Sequence, residues 1–540
     1  MEGLTALVRK SVAMGDFKPL KYGEEEIVDI LQFAVNFATT FLACKKRDIL
    51  FLFLGIMVGA NPRSRKLLLS SMDATQREEY VPLKLVVDEE SNKVIFAEAG
   101  KDFVDVLCSF LTFPLGTITR LLQKDSNMGS VTIGCLNTLY QSVADLDKEC
   151  METEISKEML LNPSYSLEDY SSSLKLNIDD TPPTKYYICS SIHVSLDVFD
   201  VCYDLTTSTK CGGCGSHLDP DVRLKKQFCN GFVDGGATFV ITDDLRVMPN
   251  SMDITSFMML QHFGIKKISL LKEMTVNVTK EKVLDMLSCA LVSESTLTDS
   301  FLRKNPTLGR KSMNFLCSFD NTKDIQIALK LVIRKSDGKI LYAQGDNDFA
   351  DLLLSFLTIP LGGLECIFGG NCSLGSIDAL YQSIVDLDEY KYFVSKEAKK
   401  RIVDPYLAPQ FKTSKRILPV RPPCSVFYMH DKSFITCENT SFYDSSKNIE
   451  PVTLKGIVEG YVKGPRTYLA TDDLVVTQAS PTSALNLLNY YETPLDDLKE
   501  KDIKIGVYEC LCILKASLTT TSALTNGLGH LVAEVKKKGK

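Results

Sequence analysis

The chain states one pattern twice. Residues 83–116 read LKLVVDEESNKVIFAEAGKDFVDVLCSFLTFPLG and residues 329–362 read LKLVIRKSDGKILYAQGDNDFADLLLSFLTIPLG; half of the positions are identical and no gap intervenes. The match resumes as LYQSVADLD from Leu139 and LYQSIVDLD from Leu380, and again as GFVDGGATFVITDDLRV from Gly231 and GYVKGPRTYLATDDLVV from Gly460. Three blocks in one order, offset by about 230–245 residues, predict two tandem homologous repeats, at residues 80–302 and 325–528, joined by a linker at 303–324. A chain of 540 residues has room for this at roughly 100–200 residues per domain. The doubling also sorts roles: a residue kept in both copies serves the shared architecture, while one confined to a single copy is free to carry chemistry.

Each copy reads as two hairpin-plus-helices halves, which predicts a mixed α+β fold. In copy one, LKLVV and KVIFA flank the polar turn at residues 88–92. A helix then starts at Asp102, with Phe103, Val106, Leu107, Phe110 and Leu111 on one apolar stripe, and Pro114 stops it. Helices follow at residues 117–123 and 136–146. The second half holds a hairpin at residues 238–241 and 245–248, a helix from Ser251 towards His262, and an amphipathic helix at 279–292. Copy two repeats this grammar at 329–332, 339–343, 348–358 and 377–387. Residues 162–230 and 404–459 read as long linkers between the halves.

A net charge of −7 and a pI near 5.5 argue against phosphate-backbone binding by the whole chain, so nucleic acid is not the expected partner. The basic end of the tail at residues 529–540 reads as a solvated terminus. Five histidines leave few candidates for imidazole chemistry. Cysteines such as Cys108, Cys289, Cys510 and Cys512 lie inside apolar runs, as small core residues do in a reducing compartment, so the expected location is cytoplasmic or nuclear. Residues 1–71 belong to neither copy, and Met72 reads as a natural start. That segment is either a gene-model extension or an apolar anchor, and any membrane association would rest on residues 27–60, whose longest uninterrupted apolar run falls short of the roughly 20 residues a spanning helix needs.

The acids common to both copies read as structural. Asp102 (Asp348 in copy two) stands where an N-cap belongs, and Asp105 (Asp351) suits the helix dipole three residues on. Asp243-Asp244 and Asp472-Asp473 sit in turns between strands, where aspartate bonds its own backbone. The sharpest local signal is confined to copy one: Cys211-Gly-Gly-Cys214-Gly-Ser-His217. With Cys189 and Cys202 upstream it offers four soft ligands for one tetrahedral structural zinc, with His217 or Cys229 as substitutes for an upstream cysteine; ordinary loop cysteines are the competing reading, and a redox pair the weaker one. Copy two has no C-x-x-C, so such a metal would staple one loop rather than support both copies.

The blocks LKLVVDEESNKVIFAEAGKDFVDVLCSFLTFPLG (residues 83–116), LNIDDTPPTKYYIC (176–189), CGGCG (211–215), FVITDDLRV (239–247) and STLTDSFL (295–302) together resemble a plant family known as domain of unknown function 674, over about residues 80–528. That resemblance implies plant origin and a duplicated architecture; the family brings no activity, cofactor or catalytic residue with it.

No phosphate loop, dinucleotide fingerprint, nucleophile elbow or zincin motif is present in the sequence. The expectation is therefore a non-catalytic intracellular interaction or regulatory module with protein partners. One alternative is a small-ligand-binding protein or enzyme whose pocket lies between the repeats, with Asp243, Asp244, Asp472 and Asp473 facing one another. Another is a nucleic-acid contact through the zinc knuckle. Metal analysis of the purified chain is expected to return about one zinc per molecule, and Cys211→Ser to lower both the zinc content and the melting temperature. Metal-free protein with an unchanged melting point would leave these as ordinary loop cysteines.

Overall fold

An alternating strand, a polar turn and a second strand open each half of the fold. Val81–Asp88 (β1) and Lys93–Gly100 (β2) form the expected hairpin, with Asn92 in its turn at a φ of 50°. The computed structural model describes residues 79–124, 132–171, 173–181, 186–189, 199–202, 218–224, 231–250, 261, 264–265, 268–303, 326–411, 416–423, 427–430, 433–436, 450–455 and 460–537. The N-terminal segment, including residues 27–60, lies outside these, as do residues 304–325 and most of the 251–263 stretch read as a helix.

Among the described residues four helices of two turns or more follow the hairpin, α1 (Lys101–Thr112), α2 (Leu115–Lys124), α3 (Leu136–Asp145) and α4 (Glu154–Leu161), and then a single helical turn at Glu168–Ser171. The predicted stripe on α1 is right, but the helix is buried on all sides from Phe103 onward, as an apolar helix inside a large core must be. Three short strands come next, β3 (Tyr186–Cys189), β4 (Phe199–Cys202) and β5 (Leu218–Leu224). The half closes with β6 (Thr238–Thr242), β7 (Val247–Pro249), β8 (Leu271–Val278), α5 (Lys280–Val292) and α6 (Thr296–Phe301).

The C-terminal half runs through β9 (Ile327–Arg334), β10 (Ile340–Gly345), α7 (Asn347–Ser355), α8 (Leu361–Ile367), α9 (Ile377–Asp386) and α10 (Lys396–Val403). It continues with β11 (Phe427–His430), β12 (Ser433–Thr436), β13 (Glu450–Lys455), β14 (Tyr468–Thr471) and β15 (Val476–Gln478). It ends with α11 (Pro481–Tyr490), β16 (Leu498–Ile505), α12 (Val507–Thr519) and α13 (Ala523–Lys537).

The chain is thus mixed α+β, built on two antiparallel five-stranded sheets ordered β7–β6–β2–β1–β8 and β15–β14–β10–β9–β16. The two hairpins expected to found separate halves share one sheet, and β8 and β16, edge strands absent from the sequence reading, complete it. Both hairpins carry an extra residue at the same place, Ile95 in β2 and Leu341 in β10, where the register shifts. The segments read as linkers also contribute strands. They interleave in a third, mixed sheet, β3–β5–β12–β11–β13–β4, in which β5 pairs in parallel with β12 and β13 with β4.

The halves meet in reciprocal backbone bonds. At the centre Pro114 faces Pro360: the amide of Leu115 donates to Ile359 O (3.0 Å) and that of Leu361 to Phe113 O (3.0 Å). Further out, Cys135 N donates to Ser517 O (2.7 Å) and Ser376 N to Ala290 O (2.8 Å). Glu152 N reaches Tyr461 O (2.9 Å) and Lys463 N reaches Cys150 O (2.8 Å), while Val394 N reaches Phe232 O (3.0 Å) and Asp234 N reaches Tyr392 O (3.0 Å).

The glycines after the two prolines let backbones come this close. A Cβ on Gly362 would lie 2.2 Å from Ile402 O and 2.9 Å from Leu111 O, whereas one on its neighbour Gly363 would meet nothing nearer than 3.8 Å. Gly362→Ala is therefore expected to cost about 2 kcal/mol or more in thermal denaturation. Gly363→Ala, in the same helix, should leave stability unchanged or raise it by up to about 1 kcal/mol. Equal effects of the two substitutions would refute the close backbone approach at Gly362.

Candidate functional site

The acids shared by the two copies occupy defined structural positions. Asp105 on α1 is buried, and its Oδ1 accepts from the amides of Phe232 (2.8 Å) and Val233 (2.9 Å). Asp351 on α7 does the same for Tyr461 (2.7 Å) and Val462 (3.0 Å). Both clamped loops start with glycine because nothing larger fits: a Cβ on Gly231 or Gly460 would fall 2.0 Å from Oδ2 of the aspartate. These loops are the same ones that cross to the other half, so each aspartate fastens a rung of the seam.

Asp102 is not the N-cap of α1. Gly100 holds that position without a side-chain bond, and Asp102 sits in the first turn. In the second half Asp346, two residues ahead of where capping was expected, accepts from Phe349 N (3.3 Å), while Asp348 receives Nδ2 of Asn347 (3.0 Å). Position 100 offers glycine where position 346 offers aspartate, so only the second helix gets a side-chain cap.

Asp243 and Asp472 cap helices remote from their own turns. Oδ1 of Asp243 accepts from Thr298 N (2.7 Å) and its Oδ2 from Thr298 Oγ1 (2.8 Å), at the start of α6. Asp472 takes Thr525 N (2.8 Å) and, through its carbonyl, Ala523 N (2.7 Å), at the start of α13. The threonines relay the contact onward, accepting from Val94 N and Ile340 N at the bulged strands (2.9 and 3.0 Å). Asp244 and Asp473 do close their turns, each accepting from the hydroxyl of the preceding threonine, and each turn places a buried leucine, Leu245 or Leu474, at a φ of 64°. An open, polar cleft of about 800 Å³ between the halves is lined by Asp243 and Asp244 together with Asp378 and Gln382. Asp472 and Asp473 do not line it, so the four acids do not gather around one cavity.

The two halves differ beside these clamps at residues 101 and 347. In the first half Lys101 Nζ lies 2.5 Å from Oδ2 of Asp105, and its charge offsets the burial that pushes that carboxyl up. The matching residue in the second half is Asn347. Among the described residues, Oδ2 of Asp351 has no donor, and burial drives its carboxyl up to about 7; the two amide bonds lower it, while the charges of Asp348 and Glu152 raise it further. Asp351 lines a cavity of about 380 Å³ formed wholly by the second half. Leu352, Leu407, Phe411 and Leu418 supply its apolar wall, and Asp346, Asp348, Ser355 and Thr358 its polar groups. The exposed Arg416 also lines it.

A second unusual acid is Glu365 on α8. It is fully buried, neither carboxylate oxygen has a hydrogen-bond partner among the described residues, and burial with the nearby Asp378 pushes its carboxyl well above the ordinary range.

Of the predicted metal ligands, Cys211, Cys214, His217 and Cys229 lie outside the described residues. Cys189 ends β3 and Cys202 ends β4, where their backbones pair with Leu218 and Lys455. The cysteines read as core residues, Cys108, Cys289, Cys510 and Cys512, are buried. Among the described residues no helix is long and apolar enough to cross a membrane.

The sequence of the chain matches the family model described as "Protein of unknown function (DUF674)" over residues 77–526. No curated protein matches it, and no solved structure does.

The environment of Asp351 has a measurable consequence. The folded chain holds its carboxyl near 7 against an ordinary 3.8, so between those values the folded state keeps a proton that the unfolded state has released. Its contribution to stability is full below pH 4 and is lost as pH rises through 7. Asp351→Asn, which keeps an oxygen acceptor and never ionises, is expected to flatten this decline. Its melting temperature relative to wild type should rise by a few degrees between pH 4.5 and 8, whereas parallel melting curves would show that Asp351 is ionised throughout.

Proposed function

From the premise that this chain belongs to the family described as a protein of unknown function (DUF674), we propose that it is a duplicated, non-catalytic module that works inside the cell by engaging protein partners. Duplication is supported by the equal strand orders, the bulge at the same place in β2 and β10, and the left-handed leucine in both aspartate turns. The observation that carries the non-catalytic reading is the use of the shared acids. Asp105, Asp351, Asp243 and Asp472 accept from backbone amides at helix starts and seam loops, which is scaffold work, and they converge on no common cleft. A location in the cytoplasm or nucleus is supported by the buried cysteines, which suit a reducing compartment.

For partner binding, the supporting feature is α11. Its inner face, with Ala484, Leu487, Leu488 and Tyr491, packs on Val332, Leu341, Tyr342 and Leu469 of the second sheet, while Leu485, Tyr490 and nearby Leu495 stand 60%, 79% and 78% exposed. Large apolar side chains held out on a seated helix suit a protein surface rather than water. Proximity labelling in cells from the full chain, compared with a Leu485→Ser/Tyr490→Ser/Leu495→Ser variant, tests this reading. The variant should melt within a degree or two of the wild type and lose a defined set of labelled neighbours by about tenfold or more. An unchanged set of neighbours would remove α11 from the reading, and substrate turnover lost with Asp243→Asn or Asp472→Asn would overturn the non-catalytic assignment.

A further inference from the structure

We propose that the second half binds a small organic amine, a protonated ammonium group on an apolar body, in the cavity beside Asp351. The proposal goes beyond the partner surface on α11 and stands independently of it.

The first half displays the interaction that the second half lacks. There a lysine on the first turn of the helix places its ammonium 2.5 Å from Oδ2 of the clamping aspartate, directly over the glycine that precedes the clamped loop. The second half keeps the aspartate, both amide donors and the glycine, and replaces the lysine with Asn347, whose carboxamide turns to Asp348. The carboxylate of Asp351 is half-buried, and with the built-in cation gone its second oxygen is open to a donor from the space beside it. Next to it is the cavity of about 380 Å³, at the small end of the range for ligand sites.

The lining selects the ligand. Asp346, Asp348 and Asp351 make one end anionic and favour a cation over a carboxylate or phosphate. Leu352, Leu407, Phe411 and Leu418 line the rest and favour a hydrocarbon or aromatic body. Ser355 and Thr358 border the same space, although Thr358 Oγ1 already donates to Ser355 O and Ser355 Oγ to Leu352 O, leaving the carboxylate as the strongest acceptor for an N–H donor. A free amine and a lysine side chain on a peptide share this chemistry, and the size of the cavity selects the free amine.

Protonation sets the pH dependence. The charged groups around Asp351 are Asp346 and Asp348 on its own helix and its cap, Glu152 from the segment bonded to the clamped loop, and Arg416 across the cavity. An ammonium ion binds the ionised carboxylate, so affinity should rise about tenfold from pH 6 to pH 8 and level off until the amine itself loses its proton.

The test is calorimetric titration of the full chain with 2-phenylethylamine, 2-phenylethanol and 3-phenylpropionate, three probes of one shape and different charge. The amine should bind with a stoichiometry of about one, and the alcohol and the acid at least tenfold more weakly. Asn347→Lys installs the lysine of the first half. It should raise the melting temperature without ligand and abolish amine binding, and Asp351→Asn should weaken binding at least tenfold. Equal binding of amine and alcohol, undiminished binding by the Asn347→Lys variant, or no binding of the amine at millimolar concentration would each overturn the proposal. A short lysine-containing peptide that binds more tightly than the free amine would overturn the assignment to a small molecule.

Discussion

A carboxylate accepting two successive backbone amides, buried at Asp105 and half-buried at Asp351, is the constraint on which this fold depends. Asp105 and Asp351 each tie α1 or α7 to a loop at the start of another strand pair through two successive amides. Charge-assisted bonds of this kind are worth roughly 1.5–3 kcal/mol each and, inside a core, are directional. The fixed loops then offer their remaining backbone groups outward: Phe232 and Asp234 pair with Tyr392 and Val394, and Tyr461 and Lys463 with Cys150 and Glu152. One aspartate therefore holds its own half and presents the edge by which the other half is bound. The glycine requirement at 231 and 460 follows from the same geometry, since the carboxylate occupies the volume of a Cβ.

Local signals in the sequence were read correctly where the interaction itself is local. The hairpins β1–β2 and β9–β10 and the helix stripe of Phe103, Val106, Leu107, Phe110 and Leu111 follow from periodicities of two and 3.6 residues, and the structure realises them nearly residue for residue. Strand β8 was missed because it is an edge strand with a half-exposed face, yet Met274, Val276 and Val278 alternate as a strand should, and Ile503 and Ile505 repeat the end of that pattern in β16. The third sheet was not legible. Its parallel joints, β5 with β12 and β13 with β4, link segments some two hundred residues apart, and no periodicity within either segment encodes a partner in the other.

The acids show the same limit more sharply. Their structural character was readable from their presence in both copies, but their partners were assigned too locally: a cap for Asp102, a helix dipole for Asp105, a turn for Asp243. The actual partner of Asp105 lies 127 residues away and that of Asp243 lies 55 away. A signal was available in the recurrence of Gly-Phe-Val and Gly-Tyr-Val at 231 and 460, since a glycine kept at the head of a strand pair marks a close approach by something. What approaches it cannot be inferred from spacing, because side-chain-to-backbone bonds across a domain leave no periodic trace.

The matching clamps of the two halves allow a change beside one of them. Each half is held by the same clamp and the same central pair of prolines, so a substitution beside one clamp leaves the other intact. Exchanging lysine for asparagine between positions 101 and 347 removes a cation from a half-buried acid. In an isolated domain that loss would fall on the only clamp it has. Here the clamped loop of the second half is also held by Cys150 and Glu152 of the first, through bonds that do not involve the missing lysine. The seam thus lets the second half hold a carboxylate poised near neutrality next to a cavity with an apolar wall while its loop stays in place.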